Sequence, residues 1–243
     1  MRYNGVDVHQ RKSMIKAAII SAAAGAFAAL CAAWLPDKWL CDYGEPPAEK
    51  HDKAARKTRT GRVALFVLAN TVTGMAFARQ ANGIGVTAFA ILSGILLLLA
   101  WCDWRYCILP DELMLAAALF GAPIALQNGV VSALLGAGIG LLGSLAVFWL
   151  AGKLYHAEAM GMGDVKLFCL AGFLCGAQGL LAASVIAVFT AAAAFAVLLL
   201  AKRITRKSSQ PFGPYLVLGI AAALALQHEW QHLFAWYLGL FRL

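Results

Sequence analysis

The chain of 243 residues is 62% hydrophobic and 13% charged, with a mean hydropathy of +0.74. That is far from the roughly half apolar, quarter charged balance of a soluble domain. Twenty Lys and Arg against 12 Asp and Glu give a formal charge of +8, and because the basic residues fall between apolar runs, they suit a membrane face and exclude a nucleic-acid reader. Runs such as TAFAILSGILLLLAW and AASVIAVFTAAAAFAVLLLA need a non-aqueous solvent around them. The expected fold class is therefore all-α: a polytopic integral membrane protein, one membrane domain over 1–243, with no sizeable soluble domain and the lipid bilayer as its surroundings.

Eight apolar segments are expected, at 14–35, 62–78, 84–102, 112–127, 130–151, 165–177, 178–201 and 211–227. The first follows a basic start, a pattern shared with signal peptides; bulky Leu30 before Cys31 argues against a lipoprotein site. Between segments one and two, residues 36–61 form a short basic loop. Segment 165–177 is shorter than the ~20 residues a straight spanning helix needs, so its helix is expected to begin within Gly161 to Asp164 or to lie partly in a protein-lined cavity.

If the 36–61 loop is cytoplasmic, alternation puts 103–111, 152–164 and 202–210 on the same side. Lys and Arg then divide 14 to 6 in favour of that side, as the positive-inside rule requires. The six cysteines never form a C-x-x-C pair, which implies neither a zinc site nor a disulfide framework. Near the C-terminus, HEWQHLFAWYLGLFRL mixes aromatic residues in the manner of an interfacial belt. His228 and His232 stand at i, i+4 within it, but lack a third ligand nearby.

Two aspartates stand at the edges of apolar segments. Asp103 closes segment three, and Asp164 opens segment six in GMGDVKL. A carboxylate bordering a spanning helix needs water, a partner or a purpose. Under the topology above both lie at one membrane edge, on different segments, placed to converge. Two carboxylates that share a site do not both ionise easily, so one keeps its proton and polarises a carbonyl while the other takes a proton from water. The structural alternative is that each merely caps a helix. Gly161 and Gly163 offer positive φ and close backbone approach beside Asp164. Lys166 is placed to favour an ionised neighbour or to snorkel to headgroups. Pro110 breaks the chain after Leu109, and Asp111 is expected to N-cap segment four.

At these residues the chain resembles the type IV prepilin leader peptidases, a bacterial branch of the GxGD membrane aspartic peptidases. DWRYCILPD runs from Asp103 to the Asp111 of an L-P-D element, GMGDVKL fits G-x-G-D-x-K-(L/F), and QPFGPYLVLG supplies a late P-F-G-P element. The three cover roughly residues 100–219, the expected peptidase core. The resemblance implies a multi-pass enzyme of the bacterial inner membrane with its site near the cytoplasmic face. It would cleave the leaders of type IV prepilins or type II secretion pseudopilins, with Asp103 and Asp164 as the catalytic pair and Gly161, Gly163, Lys166, Leu109, Pro110 and Asp111 in support.

The resemblance also implies no cofactor for peptide cleavage, and S-adenosylmethionine only if the family's N-methyltransferase activity is retained. Longer members hold two C-x-x-C pairs in a zinc-binding loop. Here that loop has only Cys41 and His51, so no zinc and no metal site is expected. A proton-coupled transporter or channel is the alternative, disfavoured because both aspartates sit at one edge and no inverted repeat is visible.

Overall fold

The computed structural model describes residues 4–34, 68, 70–72, 83–155, 160–202 and 210–240. The 36–61 loop and most of expected segment two lie outside them. Among the described residues there is no strand, residues 68 and 70–72 are helical, and seven helices have described bounds: α1 (Asn4–Trp34), α2 (Gly83–Tyr106), α3 (Asp111–Gln127), α4 (Val130–Tyr155), α5 (Met162–Leu200), α6 (Gly213–Ala225) and α7 (Gln227–Leu240). Three apolar stretches are long enough to cross a bilayer, Thr87–Tyr106, Val130–Leu154 and Met162–Leu200; Ile15–Ala28 and Gly213–Ala225 are shorter apolar helices. Their outer faces present Leu142, Trp149, Val185 and Phe189 to the surroundings, as helices apolar all round do in lipid. Three hydroxyls on these helices are satisfied within them: Ser144 donates to the Gly140 carbonyl, Ser184 to Leu180 and Thr190 to Ile186.

α5 covers two expected segments, 165–177 and 178–201, and its one non-helical residue is Gly176, at φ 69° and ψ 177°. Phe168, before the break, stacks on Phe212 with ring centroids 5.9 Å apart. Ala191, Ala192 and Phe195, after it, line a 250 Å³ cavity with the same Phe212 and with Tyr215. In one straight helix Phe168 and Ala191 would be separated by roughly 35 Å, at about 1.5 Å per residue. Both adjoin Phe212, so the axis turns back sharply at Gly176. The left-handed φ there suits a residue without Cβ, and Ser132 occupies the space a side chain would need.

Small residues set how closely the helices approach. A Cβ added to Gly136 of α4 would collide with the Gly172 carbonyl oxygen of α5, and one on Gly140 with that of Phe168. Their numbers run in opposite directions, so α4 and the first half of α5 are antiparallel with touching backbones, the packing that lipid favours in place of a hydrophobic seam. Gly219 of α6 meets the Ala183 carbonyl in the same way, and Gly94 of α2 lies against the backbone of Ala24 in α1. Between these contacts lies the larger-residue core: Phe89, Leu92, Leu96 and Leu99 of α2, Leu167 and Leu174 of α5, Leu216 and Ile220 of α6.

The two ends of this bundle differ. At one, Gln227 donates a hydrogen bond to the Asn128 side chain; at the other, the ends of α2, α3, α5 and α6 converge. If backbone contact holds α4 against α5, Gly136→Val should lower stability in detergent by about 1–3 kcal/mol or more, as overpacking does. Gly138→Ala, with nothing within 4 Å of an added Cβ, should leave it unchanged or slightly higher. A thermal melt of the two variants side by side checks this, and equal melting would show that the α4–α5 contact carries no strain.

Candidate active site

On α2 the buried residues Phe89, Leu92, Leu96 and Leu99 follow helical spacing. Four residues further, on the same face, stands Asp103, 6% exposed. On α5 Asp164 opens the corresponding stripe, continued by Leu167, Ala171 and Leu174, all fully buried. Each carboxylate thus occupies the terminal position of a core-facing row, where an apolar side chain would otherwise stand.

Asp103 is held from across the bundle. The Gly213 backbone N–H donates to its Oδ2 at 2.8 Å, in a buried contact. Asp164 lies in the first turn of α5, where Gly161 is the N-cap residue and a Cβ on Gly161 would lie 3.9 Å from Asp164 Oδ2. Phe212, beside Gly213, stacks on Phe168 one turn beyond Asp164, which brings the two carboxylates to one end of the bundle. Cys107 reports on both. It lies just past α2, its N–H bonded to the Asp103 carbonyl at 2.8 Å and its φ at 53°, a left-handed helix ending usually left to glycine. Partial burial raises the affinity of its thiol for the proton, and the negative charges of Asp103 and then Asp164 add to that.

The neighbouring motif residues take roles that differ from those expected. Pro110, not Asp111, is at the N-cap of α3, in extended conformation with ψ 131°; Asp111 is the first helical residue and makes no side-chain cap. Its carboxylate instead receives both hydrogen bonds of a forked contact from Lys166 Nζ, at 2.7 and 2.8 Å. The ammonium is therefore paired with Asp111 in place of Asp164. With side chains 49% and 62% exposed, the pair adds at most about 1 kcal/mol, yet it ties the L-P-D turn to the start of α5. Nor do Gly161 and Gly163 use positive φ: Gly161 is at −74°, and among the described residues the glycines at positive φ are Gly129 and Gly176. Gly163 serves close approach, since a Cβ there would press within 3.2 Å of Leu109.

Two participants escaped the sequence reading. Gly213 binds Asp103 through its backbone, and Cys107 ends α2 beside both carboxylates. A backbone donor leaves no mark in residue chemistry; the only sign was the P-F-G-P element itself. Among the described residues no group of three His, Cys, Asp or Glu is placed to hold a metal ion; Cys41 and His51 lie outside them.

Two aspartates from separate apolar helices are thus brought to one end of a helical bundle. A profile of the type IV leader peptidase family matches residues 90–200, a little under half of the chain. Similar relatives include the "Prepilin leader peptidase/N-methyltransferase" of Xanthomonas campestris pv. campestris, 35% identical over 131 residues, which are 53% of this chain and 46% of that one. The protein of the same name from Aeromonas hydrophila is 33% identical over 149 residues, 60% and 51% of the two chains. The "Type 4 prepilin-like proteins leader peptide-processing enzyme" of Escherichia coli O78:H11 is 31% identical over 148 residues, 58% and 52%. The chain thus spans about half the length of the curated relatives it matches. No solved structure gives a significant match.

The Cys107 thiol offers a test of the site that needs no substrate. Removing a nearby negative charge lowers the pKa of a thiol and increases its thiolate fraction. With the other cysteines replaced, the Asp103→Asn/Asp164→Asn double variant should speed alkylation of Cys107 near neutral pH by about twofold to tenfold, measured by mass spectrometry over time. An unchanged rate would place the carboxylates away from Cys107.

Proposed function

We propose that the chain is a membrane aspartic endopeptidase. It would remove the leader peptide of type IV prepilins or of type II secretion pseudopilins on the cytoplasmic side of the bacterial inner membrane. The observation that carries this is the convergence of Asp103 and Asp164 at one end of the bundle, one buried and hydrogen-bonded, the other at a helix start. The relatives' printed names supply the substrate class, and the 14 to 6 division of Lys and Arg supports the cytoplasmic side.

The pair is suited to peptide hydrolysis by shared protonation. One carboxylate, ionised, takes a proton from water, and the resulting hydroxyl oxygen bonds to the scissile carbonyl carbon. The other, protonated, gives its proton to the carbonyl oxygen. As the tetrahedral intermediate collapses the C–N bond breaks, the departing amine takes the proton that the first carboxylate acquired, and the second carboxylate recovers its proton from the hydroxyl that becomes the new carbonyl. Both groups are required for each half of this exchange. No zinc is assigned to it, because residues 36–61 contain only two ligands where a structural zinc site takes four.

Purified enzyme in detergent, incubated with a prepilin peptide, should cleave it, and Asp103→Asn or Asp164→Asn should each reduce cleavage by about a thousandfold or more. Asp111→Asn and Lys166→Ala should lower it only a fewfold, since they break an exposed ion pair. Substantial turnover by either dyad variant at normal expression would refute the mechanism. The same reaction supplied with S-adenosylmethionine, read by mass of the product N-terminus, decides whether methylation accompanies cleavage; the expected product is unmethylated. In cells, single cysteines at positions 52, 106 and 206 should resist an impermeant thiol reagent while positions 81 and 129 react. Labelling of position 106 from outside would put the site on the wrong face.

A further inference from the structure

We infer that the P-F-G-P turn at 211–214 is the positioning element of the reaction, setting the distance between Asp103 and Asp164 by holding one through a backbone hydrogen bond and the other through an aromatic stack. This rests on the peptidase reading above. Each half of the bridge comes from one of two adjacent residues, Phe212 and Gly213.

The first half is a matter of donors. A helix leaves its first few N–H groups without intrahelical partners. In α6 the supply is reduced to one. Pro214 has no N–H, while Tyr215 and Leu216 both donate to the Phe212 carbonyl, at 3.1 and 3.2 Å. The remaining donor is Gly213, and it is spent on Asp103 Oδ2 at 2.8 Å. That arrangement needs glycine for a steric reason. A Cβ added to Gly213 would lie 2.6 Å from Asp103 Oδ2, 3.0 Å from Cγ and 3.2 Å from Cβ. The carboxylate occupies the place a side chain would take, so any other residue pushes Asp103 out of position.

The second half reaches the other aspartate. Phe212 stacks on Phe168, with an interplanar angle of 15°, and Phe168 lies one helical turn beyond Asp164 on the same face of α5. The stack thereby fixes the start of α5 against the start of α6. Lys166 and Asp111 tie α5 to α3 as well, but through exposed side chains, whereas the Phe212–Gly213 link is buried at the Asp103 end. Residues 211–214 lie beyond the 90–200 stretch matched by the family profile.

Neither residue exchanges protons, so substitution should act on the chemical step and spare substrate binding. With a prepilin peptide, Gly213→Ala should lower kcat about a hundredfold or more while KM stays within about threefold, the signature of a misplaced catalytic group. Phe212→Ala should lower kcat about tenfold or more, and Phe212→Tyr, which retains a stacking ring, should recover to within about threefold of the parent. Gly213→Ala with the parent kcat, or Phe212→Ala no worse than Phe212→Tyr, would overturn the inference. If Gly213→Ala fails to fold, the Phe212 pair decides.

A second measurement is independent of activity. Asp103→Cys and Asp164→Cys, in a background free of other cysteines, can be joined by a short bis-methanethiosulfonate reagent. Adding Phe212→Ala should cut the crosslinked fraction several-fold and Phe212→Tyr should not; equal crosslinking in the two would overturn the inference even if both are inactive. Should the parent enzyme cleave no prepilin peptide, the proposed function fails, and the crosslinking alone then decides whether the turn sets the spacing.

Discussion

One buried hydrogen bond organises this protein: an N–H at the start of α6 given to a carboxylate at the end of α2. A carboxylate removed from water costs several kcal/mol unless its oxygens are satisfied, and Asp103 is almost wholly buried at the end of an apolar helix. Gly213 offsets part of that cost, and in doing so brings together two helices whose contacting residues stand 110 positions apart. Other features follow from the need to bring those ends into contact. Pro214 clears competing donors, Cys107 ends α2 at once, and Gly163 lets Leu109 close against α5.

The helical character and the apolar rows were legible in the sequence because both are periodic. Asp103 closes one apolar segment and Asp164 opens another, and alternation of the segments puts both at one membrane edge, so their convergence could be expected from topology. The break inside the long apolar run 165–201 was also expected, one residue from where it falls; Gly176 marks it. What could not be read was the partner of each charge. Asp111 follows a proline and precedes an apolar run, which is how an N-cap looks, yet Pro110 takes that position and Asp111 finds Lys166, 55 residues away. Ion pairs between distant elements are set by tertiary packing, which local pattern does not contain.

Glycines were misread for a related reason. Sequence suggests conformational freedom wherever glycine stands near a functional residue. In this protein most of the informative glycines have ordinary helical neighbours and serve as absences, places where another backbone or a carboxylate fills the missing side chain. Among the described residues, Gly176 alone joins a left-handed φ with such a contact.

The contact between α4 and the first half of α5 has a consequence for depth. Ser132, Gly136 and Gly140 recur every four residues and face Gly176, Gly172 and Phe168, which recur likewise. Two backbones that touch have no flexible side chains between them to absorb a small slide. Sliding one past the other must carry each bulky residue out of its groove before the next small one arrives, a full step of about 6 Å at 1.5 Å per residue. The level of Asp164 along α4 is therefore quantised: changes in lipid thickness can tilt the pair as a unit, but the carboxylate's height within it shifts by a whole step or stays where it is.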